Sequence, residues 1–572
     1  FKMATEQEKY LGRKYAAVQY LNENEVPKCF QKLLNDVVVE RPDDIFGYMA
    51  EYFGNHAKPP TLANITSSKV LGSRGYSSFQ VEVQALVHGK IKTLLTSNAP
   101  FDNKPVTETK PIGKGKSPES KLSMAERLES PERDEDEIQS IVDGIHTCIK
   151  PALIGAELYD QQEIDRILED VIEKRSTAKA VSSTACISQE VSIETVEKTV
   201  KNDEALPNDE TEPEQESSPD SCPVHLDILT VSMALLQSAS HLRNEQLYCY
   251  LYKAVHDQEP SSLTLPTPML TMLKSDKRTA GKLYMLKDVM IFMKKDMPSM
   301  QAFKQLTEIY QQLQLIVQQK PTSNMTADNG AFTPALDKPE QALDLLRDAI
   351  SAAGYSHEDE VTVALNFATK DIYDKDKQKY EISLNAFKSC DDVVNIYVDL
   401  CERYPEIEML IDPFLSHDRE GYAKLNERLS RNCFMINQES FSNSPNVLGK
   451  VLKEGVVSGS VMKMENASTV TQFLERVKAM EDCPRMLFMS PNGVETYEHL
   501  MVDMAVAVQA DFIIFGGPGR SENIMKYNRL QKIEHDLNIL NILVQKQPLI
   551  PHKSTSIDGT AIEPEQGDPV TL

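Results

Sequence analysis

Between Val26 and Val38 apolar residues recur at helical spacing, with Phe30, Leu33, Leu34, Val37 and Val38 on one side. Pro27 suits the first turn of that helix, and Arg41-Pro42-Asp43-Asp44 stops it and caps another. The second helix sets Ile45, Met49, Tyr52 and Phe53 on a common face. Two helices this short, within 15–60, cannot bury both faces alone, so dimerisation is the physical expectation. Further on the pattern changes to short apolar runs separated by amphipathic helices such as EQALDLLRDAISAAG (340–354) and ASTVTQFLERVKAM (467–480). The runs VTVALNF (361–367), KYEISL (379–384), EMLIDPF (408–414), NCFMIN (432–437), GSVMKM (459–464), RMLFMS (485–490) and DFIIFG (511–516) predict strands. Such alternation favours a closed α/β barrel with its site at the strand carboxyl ends. An open doubly wound sheet is the alternative, and no Gly-rich phosphate turn supports it.

Two stretches break the pattern. Residues 102–134 mix Pro, Ser and both charges without periodicity, and 175–222 end in the acidic run KNDEALPNDETEPEQESSPDSC, so both are expected to be disordered inserts. Residues 546–572 read as a flexible tail. GKGKS at 113–117 is rejected as a phosphate loop, because Lys110 stands at the required first Gly and no strand precedes it.

A chain of 572 residues exceeds one ordinary core, and several domains are expected. Its formal charge of −25 argues against nucleic acid and anionic membranes as general partners. Nine Cys without a CxxC pair fit reduced thiols, and no apolar stretch approaches a membrane span. An intracellular protein is expected. Phe1 is not a natural start, so the true N-terminus is expected upstream.

Two resemblances sharpen this picture. The layout V-P-x-x-x-x-x-L-L…E-R-P-x-D…F…Y-F in 15–60 resembles the RIIα/Dpy-30 dimerisation-docking module, which implies a homodimer whose groove binds an amphipathic partner helix. Its docking positions would be Val26, Phe30, Leu33, Leu34, Tyr52 and Phe53. GGPGRSENIMKYNRLQKIEHDL (516–537) closely resembles the C-terminal signature of enolases. ERYPEIEMLIDPF, LDLLRDAISAAGY and SRGYSSFQVEVQALVHG are similar to other enolase stretches, and 141–172 and 229–251 to helices of that family's small domain. The resemblance implies an α/β fold: an enolase-type TIM-like barrel at 263–545, after a smaller α+β N-terminal domain at 65–262 and an all-α helical hairpin. The fused docking module places the chain with a divergent, sperm-type branch of the family and implies a cytoplasmic, cytoskeletal site in a cilium or flagellar axoneme.

In enolases a lysine takes the C2 proton of 2-phosphoglycerate while Mg²⁺ stabilises the intermediate. The resemblance puts the base at Lys463, a carboxylate at Asp288 and the acid at Asn329, which cannot deliver a proton. The metal positions fall on Asn366, Ile411, Gln438 and, in a mobile loop of the family, Pro100. Substrate positions fall on Pro491, Asn492, Gly493 and Ile514. SDKRTAG, where the family carries a catalytic His, has none. Asp412 is expected to point away from the site by strand alternation, and Lys463 to pair with Asp288. Arg520-Ser521-Glu522 is expected to serve helix capping and packing.

Three functional classes follow. A pseudoenzyme scaffold without cofactor leads. A tethered phosphopyruvate hydratase using Mg²⁺ and a sensor of another metabolite are the alternatives.

Overall fold

The computed structural model describes residues 2–72, 75, 77–100, 130–189, 225–275, 279, 281–319, 326–429, 433–438, 457–481, 486–491 and 496–546. Most of the two expected inserts and of the expected tail lies outside these residues. Their edges need correction. Ser130–Gly144 is helical, and the helix Gln161–Gln189 runs on past the expected boundary at 175. Arg175 explains why it continues: its guanidinium donates to Asp227 Oδ2 at 2.5 Å and to the Gly144 carbonyl at 3.1 Å.

Three helices open the chain: α1 (Lys2–Glu23), α2 (Val26–Glu40) and α3 (Ile45–His56). The extent of α1 was not expected, since the sequence reading began its compact unit at residue 15. Asp44 caps α3 by accepting from the Gly47 N–H at 2.9 Å, as its position before the apolar face predicts.

An antiparallel sheet follows, β1 (Thr61–Leu71), β2 (Ser77–Val87) and β3 (Lys90–Asn98), in that order. Phe79, Val81, Val83 and Ala85 alternate along β2 and are fully buried beneath helices. The helix Leu226–Leu242 is apolar nearly all round because it joins two cores. Ile228, Val231 and Leu235 pack on the sheet, whereas Leu229, Met233 and Leu236 pack toward the barrel.

The barrel closes from eight strands: β4 (Thr267–Lys274), β5 (Leu286–Met293), β6 (Val361–Phe367), β10 (Ile407–Ile411), β11 (Phe434–Asn437), β12 (Gly459–Met462), β13 (Met486–Met489) and β14 (Phe512–Phe515). The order around it is β10-β11-β12-β13-β14-β4-β5-β6. Neither β4 nor β5 was among the sequence-predicted strands. β5 is also antiparallel to both neighbours, so its amino end, not its carboxyl end, reaches the barrel mouth. The run 379–384 is a strand, but it belongs elsewhere. It forms β8 (Lys379–Ser383) of a small sheet with β7 (Tyr373–Asp374) and β9 (Ala386–Lys388), outside the barrel wall.

Inside, Ile411, Ile514, Ile436, Val461 and Phe488 fill the barrel below its mouth. Among the described residues no helix is long and apolar enough to cross a membrane.

Candidate functional site

Four of the sequence-predicted positions converge at the barrel mouth. Lys463 follows β12 directly, and Gln438 follows β11. Asp288 reaches the same place from the reversed β5, where it stands opposite Asn366 of β6. A cavity of about 200 Å³ opens there, lined by Lys287, Asp412, Gln438, Lys463 and Glu465 among others.

The polar side chains satisfy one another. Gln438 Nε2 donates to Asn366 Oδ1 at 2.9 Å, and Asn366 Nδ2 donates to Asp288 Oδ2 at 2.9 Å. The chain runs one way, from amide to amide to carboxylate. Gln438 is fixed further by its own N–H, which donates to Asp412 Oδ1 at 2.7 Å.

Asp412 corrects the alternation argument. β10 ends at Ile411, and Asp412 adopts a left-handed backbone with φ 48°, so the period-two rule no longer governs its direction. Its carboxylate lines the cavity. Ile411 itself is fully buried in the hydrocarbon interior, together with Ile514 of β14.

Lys463 also departs from expectation. Its ion partner is Glu465, at 3.7 Å, while Asp288 is engaged by Asn366. Burial pulls the Lys463 ammonium below its ordinary pKa, and the neighbouring Lys287 adds to that. Glu465, Asp412 and Asp288 oppose the shift. Neither Lys287 nor Glu465 was singled out in the sequence. Glu465 stands two residues after the lysine, just beyond the strand, where no periodicity marks direction.

The remaining described positions do not line this cavity. Asn329 is a strut: its carbonyl accepts from the Gly517 N–H at 2.7 Å and from Asn523 Nδ2 at 3.1 Å. The contact explains part of the GGPGRSE stretch. A Cβ on Gly516 would come within 2.2 Å of the Asn329 carbonyl oxygen, so only glycine allows the two backbones to meet. Arg520 is the N-cap residue of the helix Ser521–Ile539 but makes no side-chain cap bond, so side-chain capping is not what the arginine supplies. Pro100 and Pro491 share a separate crevice of about 20 Å³ with Ser490, Glu498 and Lys526. Asn492 and Gly493 lie outside the described residues.

Sequence reasoning missed Lys526, which is 2% exposed and whose ammonium burial depresses to about 7. Its signal was its place on the buried face of the C-terminal helix, beside Asn523, Tyr527 and Leu530. In α2, Leu33 is fully buried, whereas Phe30 and Leu34 are exposed.

Mg²⁺ requires near-octahedral oxygen ligands, preferably with anionic charge. Among the described residues no group of three or more His, Cys, Asp or Glu is placed to hold a metal ion. The Asn366 oxygen accepts from Gln438, one Asp288 oxygen accepts from Asn366, and Ile411 offers no donor atom. The donor set does not fit the ion.

Residues 262–545 match the family described as enolase, C-terminal TIM barrel domain. Enolase 4 of Xenopus laevis is 27% identical over 542 residues, covering 92% of this chain and 91% of that relative. Enolase 4 of Homo sapiens is 26% identical over 572 residues, covering 92% and 88%. An enolase of Corynebacterium kroppenstedtii is 28% identical over 313 residues, covering 54% of this chain and 70% of its own.

Proposed function

This chain is an enolase-family protein, and we propose that it works as an interaction component of a cilium or flagellum rather than as a metal-dependent lyase. The observation that carries the reading is the Gln438–Asn366–Asp288 chain, which ties two amides to one carboxylate where the ancestral elimination needs cation ligands. Losing one preorganised charge-stabilising donor typically costs about 2.7–4 kcal/mol of barrier. With the metal ligands and the acid both replaced, a deficit of at least about 6–8 kcal/mol follows, or roughly 10⁴–10⁶-fold in rate.

The N-terminal helices supply the interacting part of the proposal. Phe30, Leu34, Val38, Val39 and Phe46 are exposed on α2 and α3, and the Phe30 and Phe53 rings sit 5.1 Å apart. An apolar face of this kind fits pairing with a second copy and an amphipathic helix laid across the pair.

A second reading has one observation in its favour. Lys463 remains at the mouth with its ammonium depressed by burial, the property that a general base near neutral pH requires. One experiment separates the two. Purified full-length protein is assayed for conversion of 2-phosphoglycerate with Mg²⁺, beside Lys463→Ala, and partner capture from ciliary extract is compared with Leu34→Glu. The scaffold reading expects no turnover above the Lys463→Ala background and capture lost in Leu34→Glu. Turnover that vanishes in Lys463→Ala would reverse the assignment.

A further inference from the structure

The opposite end of the barrel holds a larger cavity, of about 540 Å³, which the mouth chemistry does not use. Barrel interiors are ordinarily packed through every layer, and the amino-terminal face usually serves stability alone. This cavity lies where the reversed β5 ends, at Phe292 and Met293, and where the loop from Lys294 to Pro298 turns away toward the next helix. Phe292, Phe434, Phe512 and Met409 form its inner wall. The Phe292 and Phe512 rings meet edge-on, 5.1 Å between centroids, and leave a faceted aromatic surface.

One polar atom is out of place in that wall. Thr362 Oγ1, on β6, is buried and makes no hydrogen bond, which is costly for a hydroxyl in hydrocarbon surroundings. Several charges around the rim are already engaged. Lys294 pairs with Glu408 at 3.1 Å, Lys546 donates to the Ala510 carbonyl at 3.1 Å and faces Asp511 at 3.6 Å, and Glu534 accepts the Ser299 N–H at 3.0 Å. Lys295 and Asp296 stand exposed at the outer rim, so what the inner wall offers a guest is aromatic surface and the Thr362 hydroxyl. Its volume falls within the roughly 300–1,000 Å³ typical of small-molecule sites. Met293 and Met409 are the flexible side chains that can yield to an incoming ring.

We propose that the amino-terminal end of the barrel is a binding site for a planar aromatic small molecule carrying one hydrogen-bonding group, which the Thr362 hydroxyl recognises. The site is independent of the mouth and can persist whatever happens to the enolase chemistry.

The test uses full-length protein titrated calorimetrically with indole and with indene, which has the same fused-ring shape but no N–H. Indole should bind at one site per chain and about fivefold more tightly than indene, the worth of one neutral hydrogen bond. Thr362→Val, a change of matching shape, should bring indole down to the indene affinity, leave indene unchanged and raise the melting temperature of the free protein. Met409→Trp should abolish both, with its melting temperature reporting that it folds. Lys463→Ala should alter neither. No saturable binding, or an indole preference that survives Thr362→Val, would overturn the proposal.

Discussion

Asn366→Asp isolates what the hydrogen-bonded chain at the mouth contributes. In the native protein Asn366 donates to Asp288 at 2.9 Å and accepts from Gln438 at 2.9 Å. The substitution keeps the shape but removes the donor, so two carboxylates face each other in a site where Asn366 is 7% exposed. At about 4 Å and an effective dielectric of about 20, two unit charges repel by about 4 kcal/mol. Lys463 and Lys287 offset part of this, and about 2–4 kcal/mol should remain at neutral pH. For a barrel of this size the melting temperature should fall by roughly 4–10 °C. The variant's carboxylates can relieve the repulsion by sharing a proton, so the folded variant binds more protons than its unfolded chain near neutral pH. Its stability should then fall as pH rises and recover as pH is lowered toward 5. Scanning calorimetry at pH 7.5 and 5.5, in the presence of a chelator, reads both effects. Asn366→Ala serves as the uncharged comparison, with a smaller loss that is the same at both pH values. If Asn366→Asp melts with the native protein at pH 7.5, or its deficit does not depend on pH, the described chain does not exist in solution.

Two further outcomes test the frame around the site. Asp165 joins the small domain to the barrel, accepting from Ser232 Oγ at 2.6 Å, Gln161 Nε2 at 2.9 Å, and the Thr471 N–H and hydroxyl at 2.9 and 2.6 Å. Asp165→Ala should cost about 3–4 kcal/mol, less than the sum of bonds to a charged acceptor because they are not additive, and calorimetry should resolve two transitions instead of one. Lys526 has its ammonium depressed by burial from 10.5 to about 7, so between those values the unfolded chain carries the extra proton. Native stability should rise with pH from about 7 upward, and Lys526→Met should flatten that rise in thermal melts across the range.

The legible parts of this fold are those whose cause is local. Parallel barrel strands are covered on both faces, so they read as continuous apolar runs, and VTVALNF, MLFM and FIIF stood out for that reason. KYEIS instead alternates polar and apolar residues, which fits its place outside the barrel wall, where β8 pairs only with β7 and β9. β4 and β5 escaped notice because a short apolar run beside Pro does not distinguish strand from buried helix. The reversal of β5 is a topological fact, invisible in its own eight residues.

The mouth illustrates the same division. The family resemblance leads one to expect Asn366, Gln438 and Ile411 at metal positions, but what these side chains do depends on three strands meeting. Asn366 and Gln438 find each other across the intervening β10, whose own mouth-proximal residue, Ile411, contributes only hydrocarbon. Ile411 and Ile514 extend the apolar filling upward to the layer beneath the polar chain. An isolated carboxylate left at that depth would be costly, whereas this arrangement pairs the amides with each other and with one carboxylate. These side chains therefore support one another structurally, and replacing any one of them by a carboxylate should destabilise the barrel. On the proposed reading a cation site is then not recovered by single substitutions, because each new carboxylate adds like charge beside Asp288 in the Gln438–Asn366–Asp288 chain.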